Sequence, residues 1–172
     1  MLIVMAGLPG SGKSAIAEAV GRALRLPVLS VDPIEAAMRR AGIDRTQPTG
    51  LAAYVVAEAV ASDILALGQG VVVDAVNAVE PARQMWRALA KTHETELRWI
   101  EVECSDPDLH RTRLEDRNRG YRAPYEPSWA GVQLRRSEYE PWTEERLLLD
   151  TTRELTTNAA LALRYVQPGV DL

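Results

Sequence analysis

Cysteine is nearly absent from the 172 residues: Cys104 stands alone, so no internal disulfide can form. Set in the apolar run 97–104, it reads as a small buried side chain, and a reducing, cytoplasmic setting is expected. Only two histidines occur, His93 and His110. Neither ends a strand-like run or has a second ligand at metal spacing, so both read as surface residues. No apolar run approaches the ~20 residues that span a bilayer, and the first residues already form a strand-like run, so neither a membrane segment nor a cleaved leader is expected. Basic residues are not in excess either. A net charge of −4 weighs against a surface that tracks a nucleic-acid backbone and suits a small polar ligand better. A chain of this length with 47% hydrophobic residues is enough for one well-filled domain over 1–172 and too short for two.

What the chain does have is the run Gly7-Leu8-Pro9-Gly10-Ser11-Gly12-Lys13-Ser14, which satisfies the pattern G-x-x-x-x-G-K-[ST]. It follows the apolar residues 2–6 and precedes a helical pattern, the context that gives the motif its meaning. Glycines let backbone N–H groups curl around phosphates, and the next helix aims its positive end at them. Gly7, Leu8, Pro9, Gly10, Ser11, Gly12, Lys13, Ser14 and Ala15 are therefore expected to contact a nucleoside triphosphate. Lys13 would neutralise the outer phosphates, and the Ser14 hydroxyl would hold a magnesium ion.

Strand-like runs at 2–6, 27–31, 70–74, 97–104 and 146–150 alternate with helical spacing, which predicts an α/β fold: a parallel sheet with helices on both faces. Helices are expected after the glycine-rich loop and over 34–41, 51–67, 81–92, 109–117, 128–139 and 156–166. In an open parallel sheet, ligands lie beyond the carboxyl ends of the strands, so polar residues there come first. Asp32 and Asp74 qualify. Asp32 is the candidate base that takes a proton from an acceptor hydroxyl, although capping the next helix also suits it. Asp74 would hold magnesium through water or orient the acceptor, and Asn77 carries amide groups for a substrate hydroxyl or else serves a turn.

Five arginines against two acidic residues crowd the stretch Arg111 to Arg122. Arg113, Arg117 and Arg119 precede a proline-rich segment and have the character of a lid over about 113–130, with Arg117 stabilising the transferred phosphoryl group and Arg113 and Arg119 the nucleotide. A solvated helix face paired with Glu115 and Asp116 is the alternative. Arg39, Arg40 and Arg45 read more simply as a solvated face than as grips for an anionic acceptor.

With these positions in place, the chain resembles the small P-loop kinases, in particular the group of polynucleotide kinase domains, chloramphenicol phosphotransferases and zeta-type toxin kinases. The resemblance rests on the Gly-x-Pro-Gly-Ser-Gly-Lys-Ser loop, Val31-Asp32, the run Asp74-Ala75-Val76-Asn77 with Pro81 and Arg83 beyond it, and the pair Arg113 and Arg117. It implies a three-layer fold with a five-stranded sheet in the order 2-3-1-4-5, ATP with Mg2+ as cofactors, and transfer of the γ-phosphoryl group to a hydroxyl of a small molecule. Polynucleotide kinases carry an arginine shortly after the catalytic aspartate, where this chain has Ile34-Glu35, a departure that counts against a nucleic-acid acceptor. An ATP-hydrolysing switch acting on a protein partner and a 5′-hydroxyl nucleic-acid kinase are the other readings, with a monomer or homodimer expected.

Overall fold

A computed structural model describes residues 1–44, 46–116 and 127–168. Five parallel strands form one sheet: β1 (Leu2–Ala6), β2 (Val28–Ser30), β3 (Val71–Asp74), β4 (Leu97–Glu103) and β5 (Leu147–Asp150). They lie side by side in the order β2-β3-β1-β4-β5, as the resemblance implied. Seven helices among the described residues connect them: α1 (Lys13–Leu24), α2 (Val31–Arg40), α3 (Thr49–Ala66), α4 (Glu80–Thr92), α5 (Pro107–Glu115), α6 (Trp129–Ser137) and α7 (Leu155–Val166).

The central strands read as unbroken apolar runs because both of their faces are covered. Alternation along them splits the core in two. Leu2, Val4, Val71 and Val73 pack with Ala53, Ala57, Ala61 and Leu65 of α3 and with Trp86 of α4, whereas Ile3, Met5, Val72 and Ile100 pack with Ile16 and Val20 of α1 and Ala162 of α7. Helix α3 is the one helix among the described residues long and apolar enough to cross a membrane. Its alanines at i, i+4 and i+8 lie fully buried against the sheet, so one stripe of the helix belongs to the core, while Leu51, Val55, Val56 and Val60 on its other side are exposed.

Two boundaries move in ways that affect the site. The second strand stops at Ser30 rather than at 31, and the chain enters α2 without a loop, so Asp32 sits in the first turn of that helix instead of ending a strand. Helix α5 runs two residues earlier at each end than expected, from Pro107 to Glu115, because Asp106 caps it, its carboxylate accepting from the N–H groups of Asp108 and Leu109 at 2.9 and 3.0 Å.

Candidate functional site

The parallel register brings three strand ends level. Met5 of β1 and Ser30 of β2 both pair with Asp74, the last residue of β3, so the loop leaving β1, the start of α2 and the Asp74 carboxylate share one edge of the sheet. Residues 7–12 fill the connection from β1 to α1. Gly7 has φ +139°, and a Cβ there would lie 2.1 Å from the Val102 carbonyl oxygen. Gly12 has φ +93° and leads into α1, whose first residue is Lys13. Only glycine takes both conformations without strain. The first turn of α1 contains no acidic residue to compete with an anion at its positive end.

Lys13 and Asp74 are both buried, each 3% exposed, with Nζ 3.7 Å from Oδ1. That separation is too long for a hydrogen bond, so Oδ1 is left a buried oxygen without a hydrogen-bond donor, while Oδ2 accepts from the Ser30 hydroxyl at 3.1 Å. Buried carboxylate oxygens are ordinarily satisfied, and an unsatisfied one beside a glycine-rich anion loop fits a site completed by a ligand. The donor set suits magnesium. Among the described residues no cluster of three or more His, Cys, Asp or Glu could enclose a metal alone, but magnesium takes few protein ligands and keeps phosphate and water. Ser14, in the first turn of α1, and Asp74, through water, are the residues that would hold it.

Asp32, in the first turn of α2, follows by two residues the Ser30 whose hydroxyl meets Asp74. Its negative charge acts on the phenol of Tyr54, which burial, reinforced by that charge, pushes up to about 12, so Tyr54 is a neutral hydroxyl. The Tyr54 oxygen accepts from the Asn77 N–H at 3.0 Å. Glu35, one turn after Asp32, pairs with Arg39 at 2.6 Å and accepts from the buried Thr49 hydroxyl at 2.8 Å, tying α2 to the start of α3.

Of the two expectations for Asn77, the geometry fits the turn residue. Its side chain is fully buried, donating from Nδ2 to the Met5 carbonyl at 2.7 Å and accepting at Oδ1 from Trp86 Nε1 at 2.9 Å. Both ends of the amide are committed inside the protein, and φ +50° marks a turn residue, so the substrate-facing role gives way to an anchoring one. Arg83 completes the anchor. Fully buried, it donates to the carbonyls of Asn77, Ala78, Glu140 and Pro141 at 2.8–3.1 Å, and its guanidinium lies 3.8 Å from the centre of the Trp142 ring.

The glycine-rich loop is gripped from outside as well. Thr151, directly after β5, donates its hydroxyl to the Ser11 carbonyl at 2.8 Å and accepts from Arg113 Nη1 at 2.8 Å, while Arg113 Nη2 reaches the Thr151 carbonyl at 3.0 Å. Arg113 is thus engaged with the loop's support. Arg117 and Arg119, and most of the expected lid over 113–130, lie outside the described residues. His110 is not at the surface. It is 1% exposed, with Nε2 2.8 Å from the Pro9 carbonyl oxygen. His110 and Thr151 meet the loop across 101 and 140 residues of sequence, so helical or strand periodicity could not find them. A search of all strand ends would have marked Thr151, which follows Asp150 as Ala75 follows Asp74.

A family profile described as an AAA domain matches residues 2–141. No curated protein matches the chain. Among solved structures, a candidate kinase from Chloroflexus aurantiacus is 24% identical with a TM-score of 0.77, the match covering 96% of this chain and 98% of that one. The APS kinase CysC of Mycobacterium tuberculosis, solved with AMPPNP and APS, is 20% identical with a TM-score of 0.70 and 96% of each chain covered. Kti12 of Chaetomium thermophilum, solved with ADP-AlF3, is 18% identical with a TM-score of 0.73, covering 96% of this chain and 99% of that one. These likenesses establish a shared fold.

Proposed function

The chain belongs to this AAA-domain family, and from that premise we propose that it is an ATP-dependent phosphotransferase that moves the γ-phosphoryl group of ATP to a hydroxyl of a small molecule. The observation that carries the reading is the buried Lys13–Asp74 pair behind the glycine-rich loop, with Asp32 at the positive end of α2, the helix that starts directly after Ser30, which meets Asp74. In this reading the loop N–H groups and Lys13 bind the triphosphate. The acceptor oxygen attacks the γ-phosphorus, the bond to the β-phosphate oxygen breaks to leave ADP, and Asp32 takes the hydroxyl proton. Magnesium held by Ser14 and, through water, by Asp74 would offset charge on the β- and γ-phosphates. Arg117 and Arg119 are proposed to stabilise the transferred group and the nucleotide, with Arg113 bracing the loop through Thr151.

Phosphoryl transfer asks the protein mainly for positioning and charge, and the chain places these groups on helix starts and strand ends, its most rigid elements. The Chloroflexus and Mycobacterium neighbours, described as kinases, favour transfer over mere hydrolysis. Kti12, of comparable fold similarity and solved with ADP-AlF3, is not described as a kinase, and beside it stands a second reading in which ATP hydrolysis switches the binding of a protein partner. Ile34-Glu35 stand where the polynucleotide kinases that the chain resembles carry an arginine, and Glu35 is committed to Arg39 and Thr49, so a 5′-hydroxyl nucleic-acid kinase is the least supported.

Incubation with γ-labelled ATP and panels of hydroxyl-bearing metabolites, nucleosides and short oligonucleotides tests the proposal. Label should move to a small alcohol, stay with ATP in Lys13→Ala, and fall by about 10²–10⁴ in rate in Asp32→Asn. Turnover stimulated only by a protein partner would support the switch instead.

A further inference from the structure

Protein groups hold two carbonyls of the glycine-rich loop from outside: Thr151 holds that of Ser11, and His110 that of Pro9. All peptide bonds in the described chain are trans, and in a trans peptide the C=O and the following N–H point in opposite directions. Holding the Pro9 carbonyl outward therefore turns the Gly10 N–H to the other side of the loop.

The imidazole is constrained at both nitrogens. A carbonyl oxygen only accepts, so Nε2, 2.8 Å from Pro9 O, carries the proton. Arg136 of α6 only donates, and its Nη2 lies 3.1 Å from Nδ1, so Nδ1 must keep its lone pair. Both demands are met by one species, the neutral Nε2–H tautomer. Trp129, the first residue of α6, packs edge-on against the ring, with centroids 5.3 Å apart at 83°. The loop packs closely on the ring: a Cβ on Gly10, which has φ +83°, would lie 3.1 Å from the imidazole Cδ2, a crowded contact.

We propose that His110 is a positioning residue for the triphosphate site: as the neutral Nε2–H tautomer, held in that state by Arg136, it orients the Pro9–Gly10 peptide so that the Gly10 N–H is available to phosphate. The proposal rests on the reading of residues 7–14 as that site, and it makes nucleotide affinity depend on the position of α6. Protonation would leave the Nε2–H donor to Pro9 in place but put a second donor on Nδ1 against the Arg136 guanidinium, breaking the contact that fixes the ring under the loop. The charged groups acting on the ring are Arg113 of its own helix and Arg136 of α6, and the loop presents only the Pro9 carbonyl and the Gly10 backbone. The other titratable neighbour is Glu103 of β4, which burial raises and which interacts with the same Arg136. Burial, together with the two guanidiniums, lowers the His110 pKa from its ordinary 6.5, partly opposed by the Pro9 hydrogen bond. The Arg136 contact that seats the ring is thus complete above that pH and lost as pH falls through the lower folded value.

Calorimetric titration with MgATP over about pH 5 to 8 tests this, using wild type, His110→Gln, His110→Leu, Arg136→Met and Lys13→Ala. Glutamine keeps a donor at the place of Nε2 but cannot titrate. At the upper pH, His110→Gln should bind within about threefold of wild type and His110→Leu about tenfold more weakly, the size of one hydrogen bond. Wild type should lose affinity relative to His110→Gln below pH 6.5, a comparison in which the nucleotide's own titration and that of Glu103 cancel. Arg136→Met should move that loss to higher pH. Wild-type affinity in His110→Leu, or superimposable pH profiles for wild type and His110→Gln, would overturn the proposal. If His110→Leu does not fold, the profiles of the other two variants decide it. Equal binding by Lys13→Ala and wild type would instead refute the triphosphate reading, whereas a lost Lys13→Ala signal beside unaffected His110 variants refutes only the positioning role.

Discussion

Single atoms decide whether the glycine-rich loop can work. A methyl group on Gly7 would meet the Val102 carbonyl at 2.1 Å and impose φ +139° on an L side chain. Gly7→Ala should therefore cost roughly 2–4 kcal/mol of stability, read as a lowered urea midpoint with an unchanged slope. The Thr151 hydroxyl is the other such atom, since it joins the Ser11 carbonyl, the Glu103 carbonyl and Arg113 in one place. Thr151→Val keeps the shape and removes the donor. Nucleotide affinity should fall about five- to tenfold by calorimetry and return in Thr151→Ser, which restores the hydroxyl.

Elements matter here for what they hold in place. Helix α4 delivers Arg83 to a point where the loop after β3 meets the segment before β5, and one guanidinium satisfies four carbonyls. Its planar fork is the reason an ammonium cannot substitute. Arg83→Lys and Arg83→Met should both destabilise the protein, Met by about 3 kcal/mol in urea unfolding, because buried carbonyls lose their donors. Placing the elements was largely a matter of sequence: the five strands and seven helices appear where apolar runs and helical spacing put them, with ends shifted by one to three residues. The shift at Asp32 has the greatest consequence. Val31 is a good strand residue by its side chain, yet Pro33 fixes a helical φ and α2 packs on α3, so tertiary contact ends the strand at Ser30.

For the molecule as a whole, the sheet order sets the pH response as well as the site. Asp150 ends β5 next to β4, where its carboxylate accepts from the Ser105 hydroxyl and N–H and the Thr152 N–H at 2.5–3.1 Å. Desolvation works to raise its pKa, but these donors outweigh it and hold the group at about 2, below the ordinary 3.8. A depressed carboxylate contributes stability that is present above 3.8 and is lost as pH falls through about 2. Asp150→Asn should flatten the acid limb of the melting temperature over that window and leave the neutral plateau nearly level.

The sequence by itself determined the glycine-rich loop, the alternation of strands and helices and Asp74 at the end of a strand, because local spacing and residue type carry that information. The resemblance supplied the strand order that the structure bears out. Only the tertiary structure decided that Asn77 turns inward, that Arg113 supports the loop through Thr151 and that His110 is buried beneath Pro9. These depend on which residues, tens to more than a hundred positions apart, the sheet order brings into contact, and no local pattern records that.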